Sequence, residues 1–154
     1  RGCYVFRSYQ RLMDGRESPV SSKSVTLLGS GAILTEVVKA AELLAAEGVD
    51  VTVISVTSWS ELARDGQACE GHADGAATPW LAQVLAHTQG PVVAATDYVR
   101  AVPETVRAYL PPGRAYRTLG TDGFGRSDTR AALRRAFGVD AKNIAATAHA
   151  LLRG

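Results

Sequence analysis

The triplet Gly29-Ser30-Gly31 stands between a short apolar segment and a helical pattern, a position that favours an anion-binding turn. Backbone N–H groups at the start of a helix attract negative charge, and glycines let a phosphate approach closely. A dinucleotide-binding turn would also need glycine where Leu34 stands and an acidic residue where Thr57 and Ser58 end the next strand. We therefore expect no nicotinamide or flavin dinucleotide here. The triplet is a candidate anion site, with a tight strand-to-helix turn as the explanation that the glycines favour.

The segment Gly120–Asp128 is the densest polar, glycine-rich part of the chain, and it separates a strand pattern from a helix pattern. Loops at the carboxyl ends of strands are where α/β proteins place functional groups. Four of its side chains could bind a partner or a substrate, or pair with one another: Asp122, Arg126, Ser127 and Asp128. Local chemistry favours a structural loop with a helix N-cap and an internal Asp–Arg pair. An interface or binding role is the alternative.

Other residues with catalytic or metal-binding chemistry lie far apart in the sequence. The histidines have no metal-ligand spacing and no nucleophile signature beside them; they are His72, His87 and His149. No Gly-Lys dipeptide and no Gly-x-Ser-x-Gly sequence occurs, which excludes a P-loop and a hydrolase nucleophile elbow. Cys69 has acidic neighbours, which raise a thiol pKa rather than activate the sulfur. These residues predict no active site contained within the chain.

Alternating strand and helix patterns must position these segments. The apolar run Val25–Leu28 predicts a strand, and apolar residues at helical spacing from Ile33 to Ala45 predict a helix that stops at Gly48. Val51–Val56 is nearly continuously apolar and β-branched, as in a parallel strand buried on both faces. The compact crossover predicts a right-handed strand–helix–strand unit.

The second half of the chain repeats this alternation. Pro91–Thr96 predicts a strand, followed by a helix that Asp97 would cap and that would run to Tyr109. Tyr116–Leu119 predicts another strand. Two further helices would follow, and their expected N-caps are Ser127 or Asp128 and then Asp140.

This alternation predicts a three-layer α/β/α domain with a mostly parallel sheet of about five strands. Cys3–Phe6 is expected at the edge of the sheet, followed by a polar connection. The chain therefore divides into residues 1–24, which form the edge strand and connection, and a single domain at 25–154. Trp59 and Trp80 stand at the ends of predicted elements and are expected to anchor packing rather than to bind a ligand.

The composition is typical of one globular domain. The chain has 154 residues, of which 46% are hydrophobic and 21% charged, so it is long enough for a core and too apolar for a disordered chain. Its apolar runs fall short of the about 18 residues that a membrane helix needs. Two cysteines exclude a disulfide framework and are typical of a cytosolic protein. Because the chain begins with Arg1, we expect it to be a piece of a longer polypeptide.

The net charge of +2 is the balance of regions of opposite sign. Residues 24–97 carry two basic and nine acidic side chains, whereas residues 98–154 carry ten basic and four acidic ones. A basic block can bind nucleic acid, but this one lacks the interleaved aromatic residues on which bases stack. We therefore expect contacts between the two regions or across a subunit interface, and no nucleic-acid partner.

Four motifs occur in an order that resembles a known family. They are Val25–Gly31, Glu61–Gln67, Ala95–Tyr98 and Leu119–Asp128. The first, with the helix and strand that follow it, resembles the C-terminal domain of the transketolase family. The others are similar to the homodimeric bacterial pyruvate dehydrogenase E1 components within that family. The resemblance spans about residues 3 to 152, with a shortened segment at 70–78.

The resemblance implies an antiparallel edge strand and a much longer cytoplasmic parent enzyme. That enzyme would bind thiamine diphosphate and Mg²⁺ between two upstream domains at its dimer interface. It would decarboxylate pyruvate and reductively acetylate the lipoyl group of dihydrolipoyl acetyltransferase (E2). The family's cofactor sequence, Gly-Asp-Gly followed by Asn, is absent, because no Gly-Asp-Gly occurs and Asn143 is the only asparagine.

The chain alone is therefore expected to contain no catalytic, cofactor-binding or metal-binding residue. Its implied role is structural: it would support the upstream domains of the same polypeptide and contribute to the homodimer. A free-standing binding module is the alternative, with an anionic ligand at Gly29–Gly31 or a protein partner at Gly120–Asp128.

Overall fold

The computed structural model describes residues 1–9, 23–72, 75, 77–122 and 129–154. Its strands are β1 (Cys3–Tyr9), β2 (Ser24–Gly29), β3 (Asp50–Val56), β4 (Val92–Ala95) and β5 (Tyr116–Leu119). Its helices are α1 (Leu34–Ala46), α2 (Trp59–Glu70), α3 (Trp80–Leu85), α4 (Ala101–Glu104), α5 (Arg130–Ala136) and α6 (Ala141–Arg153). Two short 3-10 turns are Gly31–Ile33, before α1, and Arg107–Tyr109, after α4. None of the helices in the described ranges is long and apolar enough to cross a membrane.

The described strands form one sheet in the order β1-β3-β2-β4-β5. Strands β2 to β5 are parallel, and β1 pairs antiparallel with β3 at one edge. Thr26 in the central strand β2 pairs with Thr52 of β3 on one side and with Val92 of β4 on the other. The predicted fold class is confirmed, including the antiparallel edge strand. β1 continues past the predicted end at Phe6 as far as Tyr9, with a register shift at Phe6.

Neighbouring residues of the central strands face two separate hydrophobic clusters. On one face, Leu27 and Val53 pack with residues of α1 and α6. On the other face, Leu28 and Ile54 pack with residues of α2 and α3. All four side chains are fully buried, and each such burial contributes about 1.5–3 kcal/mol. Helices must cover both faces of a sheet whose strands are apolar on both sides.

A buried carboxylate on helix α1 binds the junction between helices α5 and α6. Glu36 accepts hydrogen bonds from the Arg134 guanidinium (2.9 Å) and from the backbone N–H of Ala141 (3.1 Å). Both partners lie around the junction of α5 and α6, so this single carboxylate joins three helices. Gly48, with φ of 83°, ends α1 as the sequence predicts.

The helix after β4 differs from its prediction. Asp97 is not its N-cap, because α4 begins at Ala101 with Arg100 in the cap position and ends at Glu104. Pro103 explains the difference: a proline is tolerated only in the first turn, so the helix cannot extend far before it. The Thr105 hydroxyl then donates to the Val102 carbonyl (2.6 Å), and the chain reaches Tyr109 through a separate 3-10 turn.

The N-cap prediction for α5 is also wrong, whereas that for α6 is confirmed. The Thr129 hydroxyl caps α5 by accepting from the Ala132 N–H (3.2 Å), because it directly precedes the first helical residue. The residues predicted for that role, Ser127 and Asp128, lie outside the described residues. Asp140 caps α6 by accepting from the Asn143 N–H (3.3 Å).

The amino ends of the central strands are held by Arg114. Its guanidinium donates to the carbonyls of Gly90 (2.6 Å), Leu85 (3.1 Å) and Thr88 (3.3 Å), and to the hydroxyls of Thr88 and Thr26. None of the described carboxylates forms an ion pair with it. The planar, forked donor set of arginine therefore binds several oxygens from different segments at once.

We predict that Arg114→Lys lowers the free energy of unfolding by about 2 kcal/mol, because an ammonium group cannot reach all these oxygens at once. Urea unfolding followed by circular dichroism measures the change. Arg117→Lys, at an exposed position of β5, is the matched control and should shift stability by less than about 0.5 kcal/mol. Equal effects of the two substitutions would contradict the role of Arg114.

A second polar cluster joins α4 to β5. Glu104 accepts two hydrogen bonds from Arg107 (2.6 and 2.8 Å) and one from the Thr118 hydroxyl. Arg107 also lies over the Tyr116 ring, 4.9 Å from its centre. These hydrogen bonds, chiefly those from Arg107, hold the pKa of Glu104 down to about 2. The ionised carboxylate is therefore the form that the folded protein stabilises.

This pKa predicts a specific acid dependence of stability. The unfolded chain takes up the proton near pH 4.5 and the folded protein near pH 2, so the contribution of Glu104 is complete above pH 4.5 and is lost as the pH falls towards 2. Glu104→Gln should be less stable than the wild type at pH 6, and the difference should shrink steadily between pH 4.5 and 2. Chemical unfolding over this pH range measures it. A difference independent of pH would contradict the ionic role.

Candidate functional site

A cleft lies at the carboxyl ends of the parallel strands. The strand that follows β2 in the chain, β3, lies on one side of β2, and the next strand, β4, lies on its other side. The direction in which strands are added to the sheet therefore reverses at β2. α/β proteins place ligand sites at this point of the sheet. A cleft of about 550 Å³ lies here, and its walls include Ser30, Thr57, Ser58, Trp59 and Tyr98.

The hydroxyl of Ser30 organises the floor of this cleft. It donates to the Thr96 hydroxyl (2.8 Å) and accepts from the indole N–H of Trp59 (3.0 Å). The Thr96 oxygen in turn accepts from the backbone N–H of Tyr98 (3.1 Å). Ser30 and Thr96 are buried, so each of these hydrogen bonds replaces lost hydration. The network ties the ends of β2 and β4 to the start of α2.

Gly31 forms the tight turn that the sequence favours. Its φ is 59°, a left-handed conformation, and a Cβ atom there would lie 2.9 Å from a carboxylate oxygen of Asp97. Gly29 is restricted by packing, because a Cβ atom would lie 2.9 Å from a methyl carbon of Val37. The Asp97 carboxylate also places negative charge at the turn, which disfavours an external anion. The anion-binding role of Gly29-Ser30-Gly31 stays a prediction.

The described part of the Gly120–Asp128 segment is fastened to the loop after β4. The Thr121 N–H donates to the Tyr98 carbonyl (2.9 Å), and the Thr121 hydroxyl donates to the Asp97 carbonyl (2.8 Å). Gly120 is required by close approach, since a Cβ atom would lie 2.7 Å from the backbone of Tyr98 and Arg100. Two backbone segments are therefore packed together at this edge.

Asp122 pairs outside its own loop. Its carboxylate accepts from the backbone N–H of Arg100 (2.8 Å) and lies 3.8 Å from the Arg100 guanidinium. The sequence suggested an Asp–Arg pair within the loop, where Arg126 was the available partner; Arg126, Ser127 and Asp128 lie outside the described residues. Arg100 stands 22 positions before Asp122, and no local pattern signals that contact.

The tryptophans anchor packing, as predicted. Trp59 is buried, and its indole N–H is bound by Ser30. The indole N–H of Trp80 donates to the Cys3 carbonyl (3.0 Å), and its backbone N–H donates to the Asp65 carboxylate. Each polar ring edge is therefore satisfied within the fold.

The surroundings of both cysteines and of two histidines, His72 and His149, do not favour catalysis or metal binding. Burial raises the pKa of the Cys3 thiol to about 11, and partial desolvation together with Asp65 raises the pKa of Cys69. His72 hydrogen-bonds to the Ala68 carbonyl (2.8 Å), and His149 lies against Glu47. Across the described residues, no group of three His, Cys, Asp or Glu side chains could hold a metal ion.

We predict that Ser30→Ala lowers the free energy of unfolding by about 1–2 kcal/mol, because it leaves the Trp59 indole N–H without its buried acceptor. The tryptophan emission should also change as the indole environment relaxes. Ser60→Ala is the matched control, since Ser60 is exposed and its hydroxyl hydrogen-bonds to the Ser58 hydroxyl rather than to a buried indole. Thermal and urea unfolding measure both variants. A stability of Ser30→Ala equal to that of Ser60→Ala would contradict the role of the network.

Comparison with known proteins identifies relatives of this chain. The chain is 49% identical to the pyruvate dehydrogenase E1 component of Escherichia coli K12 over 134 residues, and 47% identical to that of Mycolicibacterium smegmatis over 129 residues. These alignments cover 83% and 80% of the chain but only 15% and 14% of the relatives. The chain thus spans about one seventh of the length of the curated relatives it matches.

Solved structures share the fold at lower identity. A split-gene transketolase described as an inactive beta4 tetramer superposes with a TM-score of 0.61 at 22% identity, covering 86% of this chain and 40% of that one. Transketolase from Leishmania mexicana gives a TM-score of 0.59 at 21% identity, covering 99% of this chain and 18% of that one.

The model of the transketolase-like TK C-terminal domain family matches residues 2–140, which include every described strand and the cleft at their carboxyl ends. The chain belongs to the transketolase-like C-terminal domain family.

Proposed function

We propose that the chain is the C-terminal, non-catalytic domain of a thiamine-diphosphate-dependent pyruvate dehydrogenase E1 component. The observation that carries the proposal is the 44–49% identity to bacterial E1 components over most of the chain. The parent enzyme would decarboxylate pyruvate and reductively acetylate the lipoyl group of E2. We place that enzyme in the cytoplasm as a homodimer.

The described residues do not fit the cofactor of such an enzyme. Mg²⁺ needs clustered oxygen ligands, and no group of three His, Cys, Asp or Glu side chains that could hold a metal ion occurs in the described ranges. The glycine turn that most resembles a phosphate site faces the Asp97 carboxylate. We therefore place the thiamine diphosphate and Mg²⁺ of the proposed parent in its upstream domains.

The contribution of this domain is then mechanical. Glu36 and Arg114 each join several elements through buried or half-buried hydrogen bonds, and the Ser30 network fixes the carboxyl edge of the sheet. Interactions of this kind give a rigid body that can hold neighbouring domains and a second subunit in place. This rigidity supports a scaffold role.

The test uses the full-length protein encoded by the reading frame that contains this chain. With thiamine diphosphate and Mg²⁺ it should decarboxylate pyruvate and acetylate a lipoyl domain. A form truncated before Arg1 should lose dimerisation, measured by light scattering, together with activity. A frame that starts at this domain, or a full-length protein that is inactive on pyruvate, would contradict the proposal.

The isolated chain provides the complementary measurement. Calorimetry should detect no binding of thiamine diphosphate with Mg²⁺, because the described residues offer no ligand cluster. Inorganic phosphate at millimolar concentration should leave the melting temperature unchanged. A clear rise with phosphate would instead favour the free-standing binding module.

A further inference from the structure

We propose that the carboxyl edge of the sheet is the docking surface for the polypeptide that precedes this region in the parent protein. The surface consists of the cleft walls Thr57, Ser58 and Trp59 together with Tyr98 and Val99. This inference rests on the proposed function, because it requires a longer parent. It goes further by assigning one face of the domain and the chemistry of the segment that covers it.

The first argument is the exposure of rigidly held apolar groups. Tyr98 is 59% exposed and Val99 is 50% exposed, although the loop that carries them is fixed on both sides. The Tyr98 carbonyl accepts from Thr121, and the Arg100 N–H is bound by Asp122. Exposed apolar side chains on a fixed backbone lose little entropy on binding and mark interaction sites.

The second argument is where the chain enters the fold. Because β1 is antiparallel to β3, its first residue, Cys3, pairs with Val56 at the carboxyl end of β3. The Gly2 carbonyl accepts from the backbone N–H groups of Thr57 (2.8 Å) and Ser58 (3.1 Å). Both residues line the cleft. A preceding polypeptide therefore emerges beside the cleft and needs few residues to reach it.

The third argument concerns the identity of the occupant. The curated relatives are about seven times longer than the matched region, so most of a parent of this kind lies outside residues 1–154. The polypeptide that precedes residue 1 is also covalently attached beside the cleft. Its effective concentration at the cleft is therefore higher than that of a second copy of the chain. These facts favour the preceding polypeptide as the occupant.

The residues that line the cleft define the kind of polypeptide segment that would bind in it. None of the described residues that line the cleft is charged; the walls combine serine and threonine hydroxyls with apolar and aromatic groups such as Trp59, Tyr98 and Val102. A charged side chain placed among these walls would lose hydration without gaining a charged partner there, whereas Asp97 and Arg100 flank Tyr98 and Val99 in the exposed loop. The docked segment therefore places an apolar side chain against Tyr98 and Val99, and its backbone groups hydrogen-bond to the hydroxyls.

Photo-crosslinking in the full-length protein tests this surface. Benzoylphenylalanine replaces Tyr98 in one variant and Leu43 in the control, because Leu43 is 45% exposed but lies near the far end of α1. Both positions are exposed, so both variants should fold. Irradiation and mass spectrometry should identify crosslinks from position 98 to residues preceding residue 1, at least five times more abundant than those from position 43.

Isotope mixing and hydrogen exchange complete the experiment. Crosslinks from position 98 that reach only residues 1–154 of a second, isotopically distinct copy would overturn the proposal, as would a yield no higher than at position 43. Backbone amides of residues 57–59 and 97–100 should exchange at least five times more slowly in the full-length protein than in the isolated chain. Unchanged exchange would also overturn the proposal. No readout uses pyruvate, so loss of the docking surface and loss of the proposed activity are distinguishable.

Discussion

The buried hydroxyl of Ser30 is the interaction on which the carboxyl edge of the sheet depends. Parallel strands bring their ends to one edge, but they do not fix how the following loops leave it. A single oxygen fixes them here, because it contacts Thr96 after β4 and Trp59 at the start of α2. A larger residue would displace that indole, and an apolar one would leave it without an acceptor. The shape of the cleft follows from this one side chain.

The two edges of the sheet are held by different chemistry. At the amino edge, Arg114 supplies five donors to carbonyl and hydroxyl oxygens. At the carboxyl edge, small residues and hydroxyls allow Gly31 and Gly120 to lie against neighbouring loops. The acidic region, residues 24–97, and the basic region, residues 98–154, form only some of their ion pairs with each other. Glu36–Arg134 and Glu47–His149 connect the acidic and basic regions, whereas Arg107 and Arg100 pair with nearby acids of their own region.

The sheet could be predicted from the sequence because its central strands are apolar on both faces. Val51–Val56 is nearly continuously apolar and β-branched, which is typical of a strand covered on both faces, and Gly29 and Gly48 mark the ends of β2 and α1. The helix after β4 could not be predicted in detail. Asp97 looks like a cap by local pattern, but Pro103 moves the start of the helix beyond it. Contacts such as Asp122 with Arg100 depend on tertiary structure, so no local spacing signals them.

The antiparallel edge strand has a mechanical consequence for a domain held by its first residue. Tension applied at Arg1 acts at the end of β1, on the two hydrogen bonds to the Gly2 carbonyl and on the contact of Arg1 with the Trp80 ring (4.5 Å). If that pull is directed away from the sheet, these contacts break one after another, as in unzipping, rather than all at once, as in shearing. β1 would then detach before the four parallel strands bear any load. The edge strand would therefore yield first, and this would protect the remaining sheet from the applied force.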